Sequence, residues 1–176
     1  MTDRELLRAI REHAYLEGDF VLRSGRRSRY YLDKYRFETQ PVLLEAIAGR
    51  IAARASDAEP DAVRLAGPEL GAVALAAAAS LISRLPFLIV RGETKDHGTR
   101  NRLEGAFNSG DRVVLVEDVV TSGGAAVEAV RALREAGLEV RNAVCVVDRE
   151  EGGVDALARV GVRLWPIFRA SELAKA

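Results

Sequence analysis

The sequence predicts a doubly wound α/β domain on a mostly parallel sheet, carrying an N-terminal helix, a β-hairpin hood and a mobile loop. Three observations predict it. From residue 62 onward five short apolar runs, AVRLAG, FLIVRG, RVVLVED, NAVCVVD and VRLWPIF, alternate with stretches of helical periodicity, and strands separated by helices join in parallel. These runs are near-continuous in Val, Ile and Leu, as strands buried on both faces are. The 176 residues are 48% hydrophobic and 30% charged, which fits one domain with a core large enough to fold alone.

The elements follow in order. Thr2 and Glu5 have capping-box spacing, and Leu6, Leu7, Ile10 and Ala14 recur at helical intervals, which predicts a helix over about residues 3–16. In FVLRSGRRSRYYLDKYRF, β-favouring residues flank the Ser24-Gly25 turn signal, so two short strands should form a hairpin with a basic turn. Pro41 opens a second amphipathic helix with Leu44, Ile47 and Ile51 on one face. Further helices are expected over residues 70–84, 123–136 and 153–160. Residues 92–110 lack apolar periodicity and contain Lys95, His97, Arg100 and Arg102; structureless loops of that length are usually functional, so this one reads as a lid. Residues 1–176 thus form a single domain, with about 1–40 as the hood segment.

Composition removes several classes. Lys plus Arg and Asp plus Glu are both 26, so the bulk positive field of a nonspecific nucleic-acid binder is absent. The most apolar stretch, residues 72–82, is interrupted by Ser80 and falls well short of the roughly 18 residues of a membrane span. The start, MTDRELLRAI, is not that of a secretory signal, and a cytoplasmic location is expected. Cys145 is the only cysteine, which excludes an internal disulfide and multi-cysteine zinc sites; its valine neighbours place it in the core.

The most informative segment is VVLVEDVVTSGGAA, residues 113–126. An apolar strand ends in Glu117 and Asp118, followed by Val119, Val120, the group Thr121, Ser122, Gly123, Gly124, and a helix with Val127, Val130 and Leu133 inward. In parallel α/β sheets ligands bind beyond the carboxyl ends of strands. Glycines let backbone N–H groups approach an anion, hydroxyls add donors, and the next helix presents its positive end. A monophosphate fits there. The two carboxylates repel a phosphate and suit vicinal hydroxyls or a magnesium-bearing sugar, so the combination specifies a sugar phosphate. TSGG also fits an ordinary capping turn, with the acids merely solvated. The segment has neither the GxxxxGK[ST] nor the GxGxxG spacing, against ATPase and dinucleotide readings.

VVLVEDVVTSGG resembles the motif by which type I phosphoribosyltransferases bind phosphoribosyl pyrophosphate (PRPP). FVLRSGRRSRYYLDK, VRGETKDHGT and VDREEGG resemble segments of orotate phosphoribosyltransferases in particular, in that family's order over about residues 20–153. The resemblance implies that Glu117 and Asp118 grip the ribose hydroxyls while Thr121, Ser122, Gly123 and Gly124 surround the 5-phosphate, with Val119, Val120 and Ala125 also among the PRPP-binding residues. It further implies that Lys95 and His97 reach pyrophosphate from the neighbouring subunit of a homodimer, with Arg91 at the loop's base, and that Lys95, His97 and Asp118 serve catalysis. Arg149, Tyr30, Tyr31, Arg23 and Thr121 fall at positions beside orotate. Gly92 and Gly71 depart from the pattern, because many or some relatives carry lysine there; Arg100 and Arg102 are the compensating cations at hand.

The implied activity is orotate phosphoribosyltransfer in de novo pyrimidine (UMP) biosynthesis, with Mg2+ held mainly through PRPP, small-molecule partners only, and neither nucleic acid nor membrane. A purine phosphoribosyltransferase shares the PRPP motif but typically lacks the FxLxSGxxS hairpin, the KxHG loop and the VDR placement. A PRPP-sensing regulator of the same fold is the alternative from another class, which the missing lysines favour and the zero net charge opposes.

Overall fold

The computed structural model describes residues 1–21, 25, 27–92 and 102–176. The order is α1 (Asp3–Ala14), β1 (Tyr15–Val21), β2 (Arg27–Leu32), α2 (Tyr35–Glu38), α3 (Pro41–Ala58), β3 (Arg64–Pro68), α4 (Gly71–Ser83), β4 (Phe87–Val90), β5 (Leu103–Glu104), β6 (Arg112–Val120), α5 (Gly124–Glu135), β7 (Glu139–Asp148), α6 (Gly153–Arg159), β8 (Arg163–Arg169) and α7 (Ala170–Leu173). The main sheet has the order β5-β4-β3-β6-β7-β8, and β1 and β2 form a separate two-stranded ribbon. Every pairing in the main sheet is parallel except β4 with β5.

Each local signal has a visible cause. The Thr2 hydroxyl accepts from the Glu5 N–H at 3.3 Å and the Glu5 carboxylate accepts from the Thr2 N–H at 2.7 Å, so α1 begins at the expected capping box. Its end is earlier than the expected residue 16. Tyr15 already pairs with Leu32 and its ring stacks on Tyr30 at 4.8 Å, and cross-strand packing of two aromatics outweighs one more half-turn of helix. Pro41 occupies the first turn of α3. Within the stretch expected to be loop, Leu103 and Glu104 pair with Val90 and Ile89; two residues are too few to leave a periodicity.

Alternation along the buried strands divides the core. Val114 and Val116 join one cluster with α1, α3 and α4, whereas Val113 and Leu115 join the other with α5 and α6. Both faces of the sheet are therefore covered. From β3 the chain winds outward to β4, and from β6 it winds the opposite way to β7 and β8. The switch lies between β3 and β6, where a crevice opens beyond the strand ends. Cys145 is free and wholly buried, and that burial pushes its thiol pKa well up. Among the described residues no helix is long and apolar enough to cross a membrane.

Candidate active site

The acid pair sits at that switch point. Glu117 and Asp118 are 7% and 4% exposed near the end of β6, and a hollow beside them is lined by Glu117 and residues 119–126. Gly123 caps α5 at φ +82°, and a side chain there would press on Gly153 and Ala156 of the next helix at 3.0–3.1 Å. The loop is thus seated directly on the start of α6. It opens onto the α5 N-terminus, where unpaired N–H groups and the helix dipole favour an anion.

The two acids differ in environment. The Asp118 carboxylate accepts from its neighbour Val119 N–H and from the Lys34 ammonium, both at 2.5 Å. One buried oxygen of Glu117 has no hydrogen-bond partner. Burial, followed by the Asp118 charge, pushes Glu117 up to about 8, with Lys34 opposing. Glu38, at the end of α2, is 4% exposed, also carries an unpartnered oxygen, and is pushed up to about 8 by the same two causes. For Lys34 burial acts against the ammonium, but the Asp118 charge and hydrogen bond override it and the pKa is raised.

Sequence reasoning missed Lys34 and Glu38. Lys34 closes the FVLRSGRRSRYYLDK segment with no role assigned to it and Glu38 follows four residues later, and only the tertiary fold brings them to Asp118. Gly71 is the third member of this group. A Cβ there would fall inside the Asp118 carboxylate and 2.6 Å from the Lys34 Nζ. The glycine that departs from relatives' lysine is therefore the one that leaves room for a lysine from another element. Just before it, the Glu69–Leu70 peptide is cis.

Arg149 follows β7, and its N–H donates to the Val120 carbonyl at 2.9 Å. Its guanidinium lies 4.8 Å over the Tyr30 ring and 3.0 Å from a Glu151 oxygen, and its buried Nε has no hydrogen-bond partner. Tyr30 is so brought against Arg149. Tyr31 is on the other face of the ribbon, 44% exposed and tilted against Phe20 at 5.7 Å, as strand alternation requires. Arg91 and Arg102 line a second cleft with Glu69, Gly92 and Glu128. The Arg91 N–H donates to the Arg102 carbonyl at 2.7 Å, the Arg102 Nε donates back at 3.3 Å, and the Glu69 carboxylate accepts from the Gly92 N–H at 2.9 Å. Arg23, Lys95, His97 and Arg100 lie outside the described residues.

A parallel sheet whose central strand ends in an acid pair ahead of a phosphate-sized turn defines a phosphoribosyltransferase, and a family model described as the phosphoribosyl transferase domain matches residues 36–160. The orotate phosphoribosyltransferase of Methanocella arvoryzae is 47% identical over 172 residues, 97% of each chain, and that of Pyrococcus furiosus is 43% identical over 173 residues, 98% of this chain and 95% of its own. The crystal structure of orotate phosphoribosyltransferase from Aeropyrum pernix superimposes with a TM-score of 0.86 at 34% identity, covering 99% of this chain and 97% of its own. That of the Mycobacterium tuberculosis orotate phosphoribosyltransferase in complex with PRPP gives 0.79 at 30% identity, covering 98% and 99%. The chain belongs to the orotate phosphoribosyltransferase family.

Proposed function

We propose that this chain transfers the phosphoribosyl group of PRPP to a ring nitrogen of orotate, giving orotidine 5′-monophosphate and diphosphate. It would do so in the cytoplasm, as a step of de novo pyrimidine (UMP) synthesis. The observation that carries the reading is the acid pair at the switch point, beside the phosphate-shaped turn, with Arg149 over Tyr30 and its N–H bonded to Val120. The 5-phosphate takes the turn at residues 121–125, the ribose hydroxyls donate to Glu117 and Asp118, and the orotate carboxylate takes the guanidinium of Arg149. Arginine matches a planar carboxylate with two parallel donors.

In the reaction the anomeric C–O bond to diphosphate breaks and a C–N bond to orotate forms, through an oxocarbenium-like sugar. No protein nucleophile is needed; the protein orients the partners and offsets charge as it develops. Lys95, His97 and Arg91 meet the leaving diphosphate, the first two from the neighbouring subunit of a homodimer. Among the described residues no group of three or more His, Cys, Asp or Glu is placed to hold a metal ion. Two carboxylates, one with a buried open oxygen, fit Mg2+ that is carried largely by substrate oxygens and waters. Glu117 and Asp118 would hold such an ion beside the ribose, where it would supply positive charge against the departing diphosphate.

The test is PRPP-dependent consumption of orotate measured beside adenine, guanine, xanthine and uracil. Orotate alone should be consumed, with diphosphate released in equal amount. Preferential use of a purine would replace the acceptor, and binding of PRPP with no turnover on any base would indicate a sensor.

A further inference from the structure

We propose that Lys34 is a substrate-binding residue with two positions: it holds Asp118 while the site is empty and passes to the diphosphate oxygens when PRPP binds. The inference rests on the reading of this site as a PRPP site, and goes beyond it in giving a role to Lys34, the last residue of FVLRSGRRSRYYLDK, to which the resemblance assigns none.

The backbone of Lys34 is fixed. Asp33 donates to the Ala14 carbonyl at 2.9 Å, and the Lys34 carbonyl accepts from Phe37 and Glu38, both at 3.1 Å. From this anchored point a flexible four-carbon stem reaches Asp118, with the ammonium 2.5 Å from the carboxylate and 5.4 Å from the Tyr35 ring centre. The side chain remains 32% exposed, against 6% for that of Asp118. The acid is locked in place and the lysine retains an open side.

Charge dictates the second position. Glu38, Glu117 and Asp118 all converge here and are all buried. A substrate bearing a phosphate at one end and a diphosphate at the other is repelled by the Asp118 carboxylate, and by Glu117 and Glu38 whenever they ionise, unless a cation lies between them. Lys34 is the one lysine ion-paired to this acid group among the described residues. Its ammonium lies over Gly71, the first residue of α4, on the β3 side of the acid pair, while the phosphate turn leads from β6 into α5. The sugar's two anionic ends therefore have separate places, and Lys34 is at the end away from the 5-phosphate turn. When ribose hydroxyls donate to Asp118, they supply the hydrogen bonds that Lys34 gave it, and the ammonium is free to turn to diphosphate. Gly71 leaves the space in which it turns.

The experiment compares wild type, Lys34→Met and Lys34→Arg by calorimetry against PRPP and against ribose 5-phosphate, each with Mg2+. Lys34→Met should weaken PRPP by about 10- to 100-fold, the range for loss of one charge-assisted bond, and Lys34→Arg should recover most of that. Ribose 5-phosphate, lacking diphosphate, should change by no more than about threefold, and its retained binding also reports a folded site. Equal losses for both ligands, or none for PRPP, would overturn the proposal, the first by reducing Lys34 to a support for Asp118. Failure of wild type to bind PRPP at all would instead remove the reading of the site. Should Lys34→Met not fold, wild type still decides. The chain has three lysines, 34, 95 and 175, so its lysine 15Nζ signals can be assigned by elimination. Inorganic diphosphate with Mg2+ should move the Lys34 signal, and an unmoved signal at saturation would overturn the proposal.

Discussion

The guanidinium of Arg149 stacks 4.8 Å over the ring of Tyr30, joining the end of β7 to the hood ribbon. Tyr30 also stacks on Tyr15, the two rings nearly parallel with their centres 4.8 Å apart. A cation over an aromatic face is held without consuming its hydrogen bonds, so the in-plane donors of Arg149 stay available. One of them meets Glu151 and the Nε meets nothing. A planar carboxylate arriving in that plane has ready partners.

Arg149→Ala should therefore weaken orotate by roughly 10- to 150-fold, the loss of a charge-assisted bond, while PRPP affinity stays near wild type. Tyr30→Ala should reproduce part of the loss by removing the stack, and Tyr30→Phe should not. The measurement is the KM for each substrate with the other saturating. A larger effect of Arg149→Ala on PRPP than on orotate would remove it from the orotate site.

Asp118→Asn should leave circular dichroism unchanged and lower turnover by at least about 100-fold, as expected when a preorganised charged partner is lost. The amide removes a charge, loses the attraction for Lys34 and turns one acceptor into a donor. Wild-type turnover in a folded variant would defeat the assignment of this carboxylate to the ribose.

How much of this was legible depended on how local the signal was. The six-strand sheet was readable apart from β5, because its other five strands are short apolar runs, and helices separate all consecutive ones except β4 and β6. The phosphate turn was readable because VVLVEDVVTSGG places strand, acids, turn and helix in fourteen residues or fewer. The separation of Tyr30 from Tyr31 follows from period-two alternation, yet both had been set beside orotate. The Lys34–Asp118 pair spans 84 positions, and no periodicity or turn signal reports a contact made only once the tertiary fold is formed. Gly71 stood out in the sequence as a missing lysine, whereas in the fold it is the opening that admits Lys34.

The raised carboxyls give stability a definite sign. Glu117 and Glu38 are pushed up to about 8 in the fold and ionise near 4.3 when the chain is unfolded. Between these values the native state binds more protons, so their contribution is full below the unfolded pKa and is lost as pH rises toward 8. Each such group costs up to about 1.4 kcal/mol per pH unit in that window, and the pair titrates together with its neighbours. Urea midpoints of the substrate-free protein should accordingly fall from pH 6 to pH 8, and Glu117→Gln should flatten the slope. A midpoint that rises over this range, or a slope untouched by the substitution, would show that Glu117 is ionised in the empty site.

Two glycine substitutions should separate. Gly49, inside α3, has nothing within 4 Å of an added Cβ, and Gly49→Ala should raise stability by about 0.5–1 kcal/mol through helix preference alone. Its activity should be unchanged. Gly71→Ala places its methyl where the Asp118 carboxylate lies, so PRPP affinity should drop. Thermal melts and PRPP calorimetry on both variants check this, and normal PRPP binding by Gly71→Ala would mean that the Asp118 position is not the one used.

The last prediction concerns the lid across subunits. The proposed function assigns Lys95 and His97, outside the described residues, to the neighbour's diphosphate and Asp118 to its own subunit's site. A Lys95→Ala/His97→Ala double variant and Asp118→Asn should each be nearly inactive alone, because every site in either homodimer lacks one component. In a mixed dimer the Asp118→Asn subunit lends an intact lid to the intact acid pair of the other, and one site of two is restored. Random exchange makes about half of the dimers mixed, so activity should recover to roughly a quarter of wild type per subunit if the pairing is closed and symmetric. Native mass spectrometry confirms the mixed species before turnover is measured. Mixed dimers without recovered activity would place the lid over its own subunit's site, and the diphosphate cations would then come from one chain.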